Sequence, residues 1–240
     1  MAAVKRILTI DVGGTGLKAA IVDPAGRFLV DRVRIKTPPQ CAPRRMVPLL
    51  ARLVKPLGAF DHVTIGFPGV VKRGTVITAP HLGTEQWHGF ALESVMQKRL
   101  NRPVRLLNDA DVQGLAAVNG QGLELVCTLG TGFGTAWFRD GELLPHMDLA
   151  HLAMRKKDDF DVYIGDKTRK RIGKRRWNRR LEKLIGVLEA VFHYDHLHLG
   201  GGNSARIDFT LPANVSTVDN NAGISGGAFA WKKPGMKQGT

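Results

Sequence analysis

Cysteine is almost missing from this chain. Cys41 and Cys127 are the whole supply among 240 residues, which excludes a disulfide framework and a structural zinc cluster. Long apolar runs are missing too, and none reaches the length that spans a bilayer. The start, Met1-Ala-Ala-Val-Lys-Arg6, enters an apolar strand run directly, so no signal peptide is expected and the cytoplasm is the expected compartment. Acids are scarce as well: 21 Asp and Glu stand against 35 Lys and Arg, for a net charge of +14. Such an excess is extreme for a metabolic enzyme and directs attention to anionic partners. The hydrophobic share of 43% is that of a globular protein, with enough chain for two modest domains or one large one.

What is present is glycine, concentrated at two turns. Ile7-Leu8-Thr9-Ile10-Asp11 is an apolar, β-branched run that ends on an aspartate. Val12-Gly13-Gly14-Thr15-Gly16 follows, and a second run from Leu17 to Val22 leads to Asp23-Pro24-Ala25-Gly26. The pattern predicts a β-hairpin. Glycines let backbone N–H groups converge on an anion, while Thr15 adds a hydroxyl and Lys18 a positive charge. Asp11 is placed to hold a hydrated Mg²⁺ beside those phosphates. The same logic recurs where Leu125–Leu129 runs into Gly130-Thr131-Gly132-Phe133-Gly134-Thr135 and then Ala136-Trp137-Phe138. Neither turn fits the dinucleotide fingerprint or the Walker A pattern. Two ordinary β-turns are the plain alternative. Two Gly/Thr anion loops instead suggest half-molecules that close on one phosphate chain.

Between and after these hairpins, strands alternate with helices. Residues 4–35 read as three strands, 43–57 as a helix, 63–67 as a strand, 90–100 as a helix and 104–107 as a strand. Asn108-Asp109-Ala110-Asp111 opens a helix, 197–199 is a strand, and 204–219 reads as loop. This is an α/β chain. The expected domains are 1–110 with a returning helix at 222–232, and 111–221; 233–240 is a tail.

The positive charge is uneven. Lys167, Arg169, Lys170, Arg171, Lys174, Arg175, Arg176, Arg179, Arg180 and Lys183 crowd one segment with Glu182 as its only acid, and Arg155-Lys156-Lys157 lies upstream. Ile172, Trp177, Leu181, Leu184 and Ile185 recur at helical spacing, which predicts one or two amphipathic helices with a cationic face. A solvated face is the default for such a run. A track for a polyanion is the sharper reading, with Arg155, Lys156, Lys167, Arg171, Arg175 and Arg176 as its candidates.

The segments Asp11–Lys18, Gly66-Phe-Pro-Gly-Val-Val71, Leu107-Asn-Asp-Ala110, Leu129-Gly-Thr-Gly-Phe-Gly134 and Leu199-Gly-Gly-Gly-Asn203 occur in that order. As an ordered set they resemble the repressor/open-reading-frame/kinase (ROK) sugar kinase family, and within it the polyphosphate glucokinases. The resemblance implies an actin-like, ribonuclease H-like two-domain fold, usually a homodimer, that phosphorylates a hexose. It implies no membrane, and it favours polyphosphate over nucleic acid on the basic track. Lys18, where many hexokinases end the loop Asn-x-Arg, looks like the polyphosphate branch. The cysteine-rich zinc motif of many relatives is absent.

Roles follow from the same resemblance. Phosphoryl transfer needs alignment, charge neutralisation and a carboxylate to take the proton. Asp109 matches the family's base, with Asn108 and Asp109 on sugar hydroxyls; an N-cap is the plain alternative there. Pro68 and Gly69 match the sugar-side loop, and His81 stands where relatives have asparagine. Asp148-Leu-Ala-His151 stands for Glu-Leu-Gly-His, whose acid and histidine hold the sugar, so the acid here is one methylene short. Gly13, Gly14, Thr15, Gly16 and Lys18, with Gly130, Thr131, Gly132 and Gly134, would cradle phosphates. Gly200, Gly201 and Gly202 match the turn on which ATP-using relatives lay the nucleotide. The expected donor is polyphosphate, ATP or both, with Mg²⁺ and no zinc. Closure of the domains is expected to limit hydrolysis.

Overall fold

The computed structural model describes residues 5–155, 158–219 and 221–231. Lys156 of the expected track, residue 232 and the tail 233–240 lie outside the described residues. The chain forms two compact units, one holding residues 5–116 and 221–231, the other 117–155 and 158–219. Helix Asp109–Ala117 thus falls almost wholly in the first unit rather than opening the second at residue 111. The reason is packing, since Val112 lies against Gly66 and Gly226 of that unit.

The first unit is built on strands β1 (Ile7–Val12), β2 (Gly16–Val22) and β3 (Val33–Lys36), then helix α1 (Pro43–Val54) and β4 (His62–Phe67). A short ribbon, β5 (Val71–Lys72) with β6 (Thr75–Val76), leads to α2 (Thr84–Trp87), α3 (Leu92–Leu100), β7 (Val104–Asn108) and α4 (Asp109–Ala117). The sheet order is β3-β2-β1-β4-β7. β1, β2 and β3 pair antiparallel, whereas β4 and β7 join β1 in parallel through helical crossovers. Period-2 alternation sends Leu8, Ile10, Val12, Ile65 and Phe67 to a core with Met46, Leu50 and Met96. The opposite face carries Ile7, Ala20 and Val22 against Ile224 and Ala228 of α8 (Ala222–Phe229). α8 is rich in small residues and lies close enough for Thr64 Oγ1 to donate to Gly227 O at 2.7 Å.

The expected third strand is shorter than its run. Asp23 accepts from the backbone N–H groups of Ala25 and Arg27 and from Arg27 Nε, so its carboxylate holds the turn that Asp23-Pro24-Ala25-Gly26 signals. Only the bridge Val22–Phe28 forms before β3 begins. The helix expected over 43–57 ends at Val54 and tightens into a 3₁₀ turn over Lys55–Leu57, where Pro56 supplies no N–H.

The second unit repeats the opening move. β8 (Leu123–Leu129) and β9 (Phe133–Arg139) form a hairpin. Around it follow β10 (Glu142–Leu143), β11 (Ala153–Arg155), β12 (Asp158–Asp159), α5 (Phe160–Ile164), α6 (Asp166–Ile172) and α7 (Lys174–Phe192). β13 (His196–Gly200) then pairs parallel with β8, and β14 (Val215–Thr217) with β13. β14 lies inside the stretch expected as loop; burial of Val215 draws it to the sheet edge. Leu125, Cys127, Leu129, Leu197 and Leu199 pack against Trp177, Leu181, Leu184, Ile185 and Leu188 of α7. The basic segment is two helices, separated at Gly173, whose φ is +79°. Among the described residues, no helix is long and apolar enough to cross a membrane.

Candidate active site

Because β1, β4 and β7 run parallel, their C-terminal ends emerge on one edge of the first unit's sheet. That edge carries Asp11, the turn Gly66–Gly69 and the pair Asn108-Asp109. The register sets Asp11 opposite Gly66 on one side and opposite Lys18 on the other, and Lys18 opposite Arg34. One row across the sheet therefore holds Asp11, Lys18 and Arg34. Lys18 Nζ donates to Asp11 Oδ2 at 2.7 Å. At the loop itself, Gly13 N–H donates to Gly16 O at 3.0 Å and Thr37 Oγ1 donates to Gly13 O at 2.6 Å. Thr15 is exposed at the tip. Arg34 Nε lies 2.9 Å from where a side chain on Gly16 would begin, and His81 Cβ lies 3.5 Å from the same point on Gly14. The expected sugar-side residue His81 thus stands beside the Gly13–Gly16 loop.

Asn108 is the last residue of β7, and the helix begins at Asp109. Asn108 Nδ2 donates to Gly69 O at 3.0 Å, and its Oδ1 accepts from Ala110 N–H at 2.7 Å. The asparagine so ties the Pro68-Gly69 turn to the start of α4. Asp109 is half-buried, and its Oδ1 accepts from Ala110 N–H at 2.9 Å. A side chain on Gly66 would begin 3.4 Å from Asp109 Cα, which sets the carboxylate's residue beside the end of β4. Gly69 permits no side chain, because a Cβ would fall 2.0 Å from Thr78 O. Trp87 is a core residue: it meets Phe67 at a tilt and Phe90 edge-to-face, and its Nε1 donates to Cys41 O.

Mg²⁺ binds through one or two carboxylates and keeps much of its water. Asp11 offers one carboxylate at a phosphate-sized loop, and among the described residues its side chain is paired only to Lys18. No group of three or more His, Cys, Asp or Glu suited to a metal occurs among the described residues. The residues therefore fit a hydrated ion carried by phosphate, with Asp11 as its protein anchor, and not a closed protein cage.

In the second unit the turn between β8 and β9 closes with Gly130 N–H donating to Gly132 O at 3.0 Å. Asn203 Nδ2 donates to Gly130 O at 3.2 Å, and Asn203 N–H to Leu129 O at 2.9 Å. The Gly200–Gly202 turn is thereby stitched to the Gly130–Gly134 loop. Gly201 is required there: its φ is +81°, and a Cβ would lie 2.5 Å from Leu129 O. Asp148 caps a 3₁₀ turn, with Oδ1 accepting from Ala150 N–H at 3.0 Å. His151 is exposed, with Nδ1 3.4 Å from Asp159 Oδ2 and Nε2 3.9 Å from Asp148 Oδ2.

The basic segment divides by use. Asp166 takes Arg169 and Lys170, Lys174 pairs with Asp208, and Arg180 lies over the Tyr163 ring. The Lys170 hydrogen bond, with burial opposing it and Arg169 adding to it, holds the Asp166 carboxyl below the usual range. Arg155, Lys167, Arg171, Arg175, Arg176, Arg179 and Lys183 are exposed and unpaired among the described residues. Cys127 is fully buried, and burial pushes its thiol up, as expected of an unreactive core thiol. His198 Nε2 meets Glu124 Oε2 at 2.7 Å; burial outweighs that carboxylate and pulls the imidazole below its ordinary value. The residues not anticipated from sequence are Arg34, Thr37 and Asp161, whereas Asn203 closes the motif Leu199-Gly-Gly-Gly-Asn203. Of the three, Arg34 alone carried a signal, since strand alternation sets it across from Lys18.

The family model described as ROK family matches residues 7–148. The chain is 30% identical to the polyphosphate glucokinase of Mycobacterium leprae (strain TN), over 92% of this chain and 73% of that one. It is also 30% identical to that of Mycobacterium tuberculosis (strain CDC 1551 / Oshkosh), over 92% and 89%. Among solved structures, the inorganic polyphosphate/ATP-glucomannokinase of Arthrobacter sp. strain KM superposes with a TM-score of 0.86 at 31% identity, covering 94% of this chain and 98% of that one. A ROK family glucokinase from Streptomyces griseus, solved with glucose and AMPPNP, shares the fold at a TM-score of 0.81 and 19% identity, covering 94% and 98%. The chain belongs to the ROK family and has its actin-like α/β fold.

Proposed function

We propose that this protein is a glucose kinase that transfers a phosphoryl group from polyphosphate, ATP or both to the 6-hydroxyl of glucose. The observation that carries the reading is one sheet edge bearing Asp11, Lys18, Asn108 and Asp109 in a chain similar along most of its length to polyphosphate glucokinases. Asp109 accepts the proton of the attacking hydroxyl. Asn108 fixes the start of α4 and, with Pro68, Gly69 and His81, borders the sugar; Asp148 and His151 take the sugar-hydroxyl roles that the family resemblance implies. The loops Gly13–Gly16 and Gly130–Gly134 offer backbone N–H groups to donor phosphates. Lys18 counters charge on the transferring group, and Thr15 and Thr131 donate to it. Asp11 would hold Mg²⁺, which when bound neutralises phosphate charge.

Gly200–Gly202 supports ATP as one donor. Exposed Arg155, Lys167, Arg171, Arg175 and Arg176, together with Lys156, support a chain-like polyanion as the other, bound with counterion release. A cytoplasmic homodimer completes the reading, on the strength of the family resemblance. A second reading, a kinase for mannose, fructose or an amino sugar, is favoured by one observation. The shortened Asp148 already spends Oδ1 on a backbone cap, which limits its reach toward a ring hydroxyl. Initial rates for a panel of sugars with each donor decide between them. Glucose preferred, with polyphosphate used at least as well as ATP, supports the first; an amino sugar preferred with ATP alone supports the second.

A further inference from the structure

The Gly130–Gly134 loop has no charged side chain of its own, so its shape depends on what it touches. A loop that presents N–H groups to phosphate must turn its carbonyls away and engage them elsewhere. Gly130 O is engaged twice, by Asn203 Nδ2 and by Asp166 N–H at 3.1 Å. On the other flank, Phe133 N–H donates to Asp161 Oδ1 at 2.7 Å across 28 residues of sequence. Between these contacts lies Gly165, where a Cβ would sit 2.6 Å from Asp161 O and 2.9 Å from Thr131 O. The turn joining α5 to α6 thus grips the loop at both ends. A carboxylate beside an anion site opposes binding by simple electrostatics. Asp161 is compensated by a charge-assisted bond to a backbone donor, which is stronger than a neutral one.

We propose that Asp161 is a positioning residue for the phosphoryl donor: its bond to Phe133 N–H, with the Gly165-Asp166 turn, holds the second glycine loop in its phosphate-accepting shape. Nothing in this role requires Asp161 to touch donor or sugar. The inference rests on the kinase reading for its catalytic consequence, and on the hydrogen bond alone for its structural one.

The test compares Asp161→Ala with Asp161→Asn, whose amide oxygen still accepts. Asp161→Ala should lose hydrogen-exchange protection at the Phe133 amide and raise the KM for donor about tenfold, the scale of one hydrogen bond to a charged group. The KM for glucose should stay within twofold, and Asp161→Asn should restore most of both losses. Calorimetric titration with polyphosphate of defined length should show the same ordering of affinities. Should Asp161→Ala not fold, Gly165→Ala decides, because its side chain would press on Asp161 O and Thr131 O and so shift both the loop and the backbone that carries the brace. Wild-type donor KM and intact Phe133 protection in the deciding variant would overturn the proposal, as would equal losses for sugar and donor. Absence of sugar phosphorylation by the wild-type protein would sink the kinase reading instead, and exchange at Phe133 would still judge the brace.

Discussion

The two glycine hairpins look alike in sequence and are held in different ways. The first is held from within its own sheet: Gly13 bonds Gly16, Thr37 comes from the neighbouring strand's end to cap Gly13 O, and Lys18 answers Asp11 directly across the β1–β2 register. The second closes with its own bonds, Gly130 N–H to Gly132 O and Gly134 N–H to Thr128 Oγ1, but it also leans on distant segments. Asn203 from the β13 turn, Asp166 from α6 and Asp161 from α5 supply those outside bonds. A self-contained charged hairpin suits metal and phosphate chemistry that must not move. A hairpin braced by three distant segments suits donor recognition, since its shape answers to the basic helices that begin beside it.

The largest effect should come from the first unit. Asp109→Asn is expected to lower kcat by about 10²–10⁴-fold, the scale for losing a general base, with thermal unfolding unchanged. Next, Gly201→Ala should destabilise by about 1–3 kcal/mol in denaturant melts, since it adds a side chain at φ +81° and 2.5 Å from Leu129 O. Gly14→Ala, with its nearest neighbour 3.5 Å away, should cost under about 1 kcal/mol. Equal costs would erase the contrast drawn above. Lys18→Ala should raise KM for polyphosphate and ATP alike, by about tenfold. Arg175→Ala with Arg176→Ala should raise KM for polyphosphate only, by a few-fold, and flatten its salt dependence.

The smallest effect is in pH. Asp166 has its folded pKa depressed below the ordinary 3.8, so its pairing stabilises the fold above that value and is lost as pH falls through the folded pKa. Asp166→Asn should therefore lower stability modestly at neutral pH, where the pairing is present, and flatten the fall in stability below about pH 4, where the unaltered protein has already lost it. His198 acts in a different window. Its folded pKa lies below the ordinary 6.5, so the unfolded chain takes up protons first and stability falls as pH drops below that value.

Local pattern made most of the frame legible. Leu8, Ile10 and Val12 alternate as a strand should, glycines mark both turns, and Trp177, Leu181, Leu184 and Leu188 repeat at helical spacing. The limits of two strands did not show. The run from Arg27 forms strand only from Val33, and Val215 made a strand from a segment with little apolar signal. The proposed site divides the same way. Asp11, Lys18, Asp109 and Asn203 sit inside motifs, whereas the partners of Asp161 and Asn203, 28 and 73 residues away, are ones that no local pattern encodes. Arg34 lies between these cases, visible once the register of β2 and β3 is known.

Glucose phosphorylation by this protein depends on chemistry at the first sheet edge. A coupled assay for glucose 6-phosphate, run with polyphosphate and with ATP on the unaltered protein and on Asp109→Asn, measures it directly. The expected result is steady product formation by the unaltered protein with at least one donor and a loss of orders of magnitude in the variant. No product from the unaltered protein with either donor, or equal rates for the two proteins, would contradict it.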